Sequence, residues 1–130
     1  MSLKILAVDD SRTIRDMLKL ALAQAGFAPE VAEDGVHGLE VLEEMAQDGT
    51  PPDAIITDIN MPRMDGFGFI DAVRAKSAHS AVPILVLSTE SAAELKARAR
   101  ASGATGWIVK PFDPVKLVKA INMVAGKGAA

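Results

Sequence analysis

The chain has no cysteine, which excludes disulfides, thiolate metal sites and cysteine nucleophiles. No apolar run approaches the roughly 18 residues that a membrane-spanning helix needs, although 49% of the residues are hydrophobic. A basic start followed by an apolar stretch is also missing. Met1 to Leu3 lead straight into a strand pattern, so a cytoplasmic location is expected. Aromatic residues make up only 4% of the chain and the net charge is −3, so there is neither a stacking platform nor a basic footprint for nucleic acid. There is no internal repeat beyond the strand–helix period, and no linker. The expectation is one domain over residues 1–130, large enough to bury roughly two thirds of its unfolded surface.

What the chain does have is an uneven charge distribution and a regular alternation. Residues 1–65 carry 13 acidic and 5 basic side chains, whereas residues 66–130 carry 4 and 9. Five short apolar runs alternate with helical patterns, which implies successive strand–helix units and a parallel sheet. Ile14, Leu18, Ala21, Leu22 and Ala25 form the apolar stripe of a first helix behind Ser11 as N-cap. Pro29 in the second strand cannot donate to a ladder, so that strand belongs at an edge. A doubly wound (βα)5 flavodoxin-like α/β fold with strand order 2-1-3-4-5 meets that condition. A second helix opens at Asp34-Gly35, and a third buries Phe67, Ile70 and Val73. Ser91 with Glu94 reads as a capping box for the fourth. Asp113-Pro114 starts the fifth, with Val115, Val118, Ile121 and Val124 toward the sheet, and 126–130 reads as a frayed tail.

The strands end in chemically pointed residues. Asp9 and Asp10 follow the first, Asp58 the third, Ser88 the fourth and Lys110 the fifth. In an open parallel sheet, ligands lie outside the carboxyl ends of the strands where the order reverses, here between strands one and three. Three carboxylates crowded there stay ionised only if a cation joins them. A hard, oxygen-bound ion such as Mg²⁺, which holds few protein ligands and bridges to phosphate, fits. Attack by a carboxylate on a phosphoryl group needs positioning and charge neutralisation, which Mg²⁺ and Lys110 supply, while Ser88 offers a hydroxyl to a phosphoryl oxygen. His37 and His79 have no partnered acid or nucleophile and read as surface residues.

The stretches Val8-Asp9-Asp10-Ser11-Arg12, Asp58-Ile59-Asn60-Met61-Pro62-Arg63-Met64-Asp65-Gly66, Leu87-Ser88-Thr89-Glu90 and Lys110-Pro111-Phe112 together resemble the receiver domain of two-component response regulators, across essentially the whole chain. The stand-alone, CheY-like chemotaxis type is the most similar. The resemblance implies that Asp58 accepts a phosphoryl group from a histidine kinase. It implies that Asp9, Asp10, Asp58 and the Asn60 backbone carbonyl hold Mg²⁺, with Ser88 the switch hydroxyl and Lys110 the phosphate-binding lysine. Trp107 takes the switch aromatic position, usually Tyr or Phe. A cis Lys110-Pro111 bond is implied too. The expected protein is a monomer that docks a downstream partner through the helix 4, strand 5 and helix 5 face, where Lys96, Arg98, Arg100, Lys116 and Lys119 would meet an acidic segment.

Three other functions compete. A phosphate sink would use the same residues without an output partner. A Mg²⁺-dependent aspartyl phosphatase would want a second acid two residues beyond Asp58, where Asn60 stands. A flavin carrier would want a phosphate loop after the first strand, where Asp9-Asp10 would repel FMN.

Overall fold

Five apolar segments form the strands β1 (Lys4–Val8), β2 (Ala28–Ala32), β3 (Ala54–Thr57), β4 (Ile84–Ser88) and β5 (Gly106–Val109). Between and after them run α1 (Arg12–Gln24), α2 (Gly35–Gln47), α3 (Gly66–Ala75), α4 (Ala93–Ser102) and α5 (Pro114–Ala129). The computed structural model describes residues 2–129. The strands are parallel in the order β2-β1-β3-β4-β5, the doubly wound arrangement expected. β2 is an edge strand, with Pro29 in register with Ile5.

Helices cover both faces of the sheet, so β1, β3 and β4 are buried almost throughout. Successive side chains in a strand point to opposite faces, and two cores result. Leu6, Val8, Ile55, Ile84 and Val86 pack with α2, α3 and Ala99 of α4. Ile5, Ala7, Ala54, Ile56, Leu85 and Leu87 pack with Leu18 and Leu22 of α1 and Leu117, Ile121 and Ala125 of α5. Every strand therefore delivers its last residues to one end of the sheet. Among the described residues, no helix is long and apolar enough to cross a membrane.

Two helix readings need correction. Ser91 does not cap α4; Ala92 stands at the N-cap without a side-chain bond. Glu90 is tied to Ser88 and Trp107, so the chain stays extended for two more residues before it coils. In α5 the residues buried toward the sheet are Leu117, Ile121 and Ala125, with Val124 half-buried against the same core as expected, while Val115 is 63% exposed. The helix is apolar on more than one side, and Ile121 belongs to both possible stripes. Helical backbone continues to Ala129, over most of the tail read as frayed, and residue 130 lies outside the described residues.

The histidines are also placed differently. His79 is buried, and its carbonyl accepts Arg74 Nη1 at 3.1 Å while Arg74 Nε and Nη2 reach the Gly103 carbonyl at 3.1 and 2.7 Å. Arg74 so joins α3 to the C-terminal end of α4, where Gly103 adopts φ 115° and a helix dipole favours a cation. His37 is half-buried, and its Nδ1 accepts the Glu33 N–H at 3.1 Å.

Candidate functional site

At the carboxyl end of the sheet, oxygens of Asp9, Asp10 and Asp58 all lie within 4.8 Å of one another. β1 and β3 are neighbours, and Val8 and Thr57 are in register, so the residues that follow them emerge side by side. Asp9 and Asp58 are buried and Asp10 is exposed, which gives the cluster a closed floor and an open rim. Lys110 reaches in from the end of β5, its Nζ 2.7 Å from Asp9 Oδ2 and 3.1 Å from Asp58 Oδ2. The Lys110-Pro111 peptide is cis, and the Lys110 N–H donates to the Ser88 carbonyl at 2.8 Å.

The electrostatics follow from burial. Burial raises the Asp58 carboxyl above its ordinary pKa, with the Asp9 charge adding to the rise, while the Ile59 N–H at 2.7 Å and Lys110 pull the other way. Burial works against the Lys110 ammonium, but Asp9 and Asp58 outweigh it and hold that group above its usual value. One ammonium cannot balance three carboxylates. The donor set is all oxygen and carries an excess of negative charge, the chemistry that suits a hard divalent cation.

The response regulator receiver domain model matches residues 5–122. The chain belongs to that family. Its relatives include the chemotaxis protein CheY1 of Helicobacter pylori, 34% identical over 124 residues, spanning 95% of this chain and 98% of that protein. A probable CheY of Rhizobium etli is 37% identical over 125 residues, spanning 95% and 93%. Among solved structures, the chemotaxis protein CheY4 of Vibrio cholerae is 44% identical with a TM-score of 0.88, covering 95% of this chain and 99% of that one. The receiver is thus CheY-like.

Around the carboxylates, this receiver has a second layer. Ser88 is fully buried, and its Oγ accepts the Glu90 N–H at 3.1 Å. The Glu90 carbonyl in turn accepts the Trp107 indole N–H at 2.8 Å. Trp107 is half-buried and packs against the core on the α2–α4 side. Glu90 therefore links hydroxyl and indole through its backbone, a connection with no sequence signal because any non-proline residue offers the same two groups. Asn60 has an exposed side chain in the loop between β3 and α3. The structure brings Asp9, Asp10, Asp58 and Lys110 together; among the described residues no hydrogen bond joins the Ser88 hydroxyl or the Trp107 indole to their side chains directly.

Sequence reasoning also missed how that loop is shaped. A Cβ on Gly66 would sit 2.3 Å from the Asp58 carbonyl oxygen and 2.8 Å from Ile59 Cα, so the start of α3 presses against the backbone of the aspartate itself. Asp65 caps the helix by accepting the Gly68 N–H at 2.9 Å.

Proposed function

We propose that this receiver takes a phosphoryl group from a phosphohistidine of a histidine kinase onto Asp58, in the presence of Mg²⁺, and thereby changes its affinity for a protein partner. The observation that carries this reading is the buried Asp58 carboxylate, in contact with Lys110 and clustered with two further aspartates. An Asp58 oxygen forms the new bond to phosphorus as the bond to the imidazole nitrogen breaks, and the nitrogen keeps the electron pair. The product is an acyl phosphate. Lys110 balances charge on the phosphoryl oxygens, and loop N–H groups after Asp58 donate to them. Asp9, Asp10, Asp58 and the Asn60 carbonyl would hold the metal, which when bound supplies charge neutralisation and orients the phosphoryl group.

The Ser88 hydroxyl keeps its own proton free to donate while its oxygen accepts from Glu90. Drawn toward a phosphoryl group on Asp58, it would pull on the Glu90 backbone and so on the Trp107 indole. The exposed surface beside Trp107 suits an output partner better than a sink. Lys96 and Arg100 border the indole on one side, and Lys116, Lys119 and Met123 on the other. This supports docking of an acidic segment with an apolar anchor. Arg98 takes no part there, because its guanidinium lies 4.0 Å from the Phe67 ring centroid on α3. By analogy with its chemotaxis relatives, the protein acts in the cytoplasm as a monomeric chemotaxis regulator.

Incubation with acetyl phosphate and Mg²⁺ followed by intact-mass measurement tests the acceptor, with a gain of one phosphoryl group expected. A chain that stays unmodified while binding Mg²⁺ would refute it. Beryllofluoride with Mg²⁺ should change the emission of Trp107, the only tryptophan in the chain. An unchanged spectrum alongside demonstrated beryllofluoride binding would detach the indole from the switch.

A further inference from the structure

Arg63 is the only non-glycine residue with positive φ among the described residues, at 64°. That conformation crowds the Cβ of an L residue, so something must hold it. The holder is Asp34, on the far side of the loop. Arg63 Nε donates to Asp34 Oδ2 at 2.8 Å and Nη2 to Oδ1 at 3.1 Å, a two-pronged pairing. The Asp34 side chain is only 4% exposed, against 53% for Arg63. The same Oδ1 accepts the His37 N–H at 2.8 Å and caps α2. One residue on, the Gly35 N–H donates to the Met64 carbonyl at 3.2 Å, where a Cβ on Gly35 would lie 2.6 Å from Met64 Cγ and 2.7 Å from that oxygen.

The start of α2 is thus docked onto the loop that follows Asp58. At the α3 end, the Gly66 N–H closes the loop on the Ile59 carbonyl at 2.8 Å. Between those ends, apart from the α3 N–H groups of Gly68 and Phe69 that bond to Asp65, the hydrogen bonds from outside the loop, among the described residues, come from Asp34 and Gly35. Asn60, three residues before Arg63, lies inside the segment so restrained.

We propose that Arg63 and Asp34 are a positioning pair that sets the Asn60 carbonyl relative to the aspartate cluster and so governs its affinity for Mg²⁺. This rests on the reading of that cluster as the metal site of a receiver. Mg²⁺ tolerates little departure from octahedral geometry, and residues that orient ligands without touching the metal typically change affinity 10–100-fold when lost. A loop freed at Arg63 gives up that preorganisation.

The two partners carry opposite charges, which makes the test decisive. By charge alone, removing the Arg63 cation would tighten Mg²⁺ binding and removing the Asp34 anion would weaken it. Positioning requires both to weaken it. In isothermal titration calorimetry with MgCl₂, Arg63→Ala and Asp34→Asn should each raise Kd about tenfold. Asn remains a good helix cap, so α2 should survive, and unchanged far-UV circular dichroism checks this. Arg63→Gly suits the positive φ yet lacks the fork, and should bind as weakly as Arg63→Ala. Combining Asp34→Asn with Arg63→Ala should cost little more than either alone, the mark of a coupled pair.

Wild-type affinity in all variants, or tighter binding by Arg63→Ala with weaker binding by Asp34→Asn, would overturn the proposal while leaving the metal site intact. Wild-type protein that binds no Mg²⁺ would overturn the metal site with it.

Discussion

Asp58→Asn should take up no phosphoryl group from acetyl phosphate and should also be more stable than the wild type. Loss of uptake follows because the amide is not a nucleophile. The gain in stability follows from burial and from the Asp9 charge, which together hold the Asp58 carboxyl above its ordinary pKa. A carboxyl raised in the folded state loses stability as pH rises from its unfolded value through its folded one, so ionised Asp58 costs stability at neutral pH. The neutral isostere should add on the order of 1 kcal/mol, a Tm increase of a few degrees. That advantage should shrink as pH falls into the range where Asp58 is protonated. Adding Mg²⁺ should raise the wild-type Tm more than that of the variant. Full label uptake by Asp58→Asn would move the acceptor to another residue, and a lower Tm at neutral pH would show that contact with Lys110 outweighs burial.

Gly66→Ala should be the most damaging small substitution in the site. Its Cβ would meet the Asp58 carbonyl oxygen at 2.3 Å and Ile59 Cα at 2.8 Å, which are backbone atoms that cannot rotate away. That carbonyl also accepts the Thr57 hydroxyl at 2.8 Å, and the Asp58 N–H is bound to the Val8 carbonyl at 2.9 Å. Relief must come from moving α3 or the aspartate. A cost of about 3 kcal/mol is expected, which lowers Tm by roughly 10 °C for a domain of this size, with phosphoryl uptake impaired as Asp58 shifts. Gly68→Ala is the contrast. Its Cβ would approach only side-chain atoms, Met64 Cγ at 3.3 Å and Asp65 Oδ1 at 3.5 Å, and the better helix propensity of Ala, about 1 kcal/mol, offsets those contacts. Chemical denaturation of the two variants separates the cases, and similar midpoints would show that α3 can slide.

Much of this protein was legible in one dimension. Pro29 placed β2 at an edge because a residue without an N–H cannot sit in the middle of a ladder. The alternation of apolar runs and helical stripes determined the parallel sheet, since parallel strands need a crossover connection. Asp9, Asp10, Asp58 and Lys110 could be foreseen at one end because residues that end parallel strands share an end of the sheet whatever their spacing. Where several local choices had similar energy, the pattern did not decide. Ser91 could cap a helix as well as any serine, but the backbone ties from Glu90 to Ser88 and Trp107 delayed α4. Val115 could face the sheet as well as Leu117, and the packing of α5 against Leu18, Leu22 and the sheet chose the other stripe. The fork from Arg63 to Asp34, 29 residues apart, and the contact of Gly66 with the Asp58 backbone depend on how α2 and α3 pack beside the loop. Hydrophobic periodicity records which face of an element is buried; which neighbour covers it, and which backbone atoms then come into contact, is settled only when the layers close.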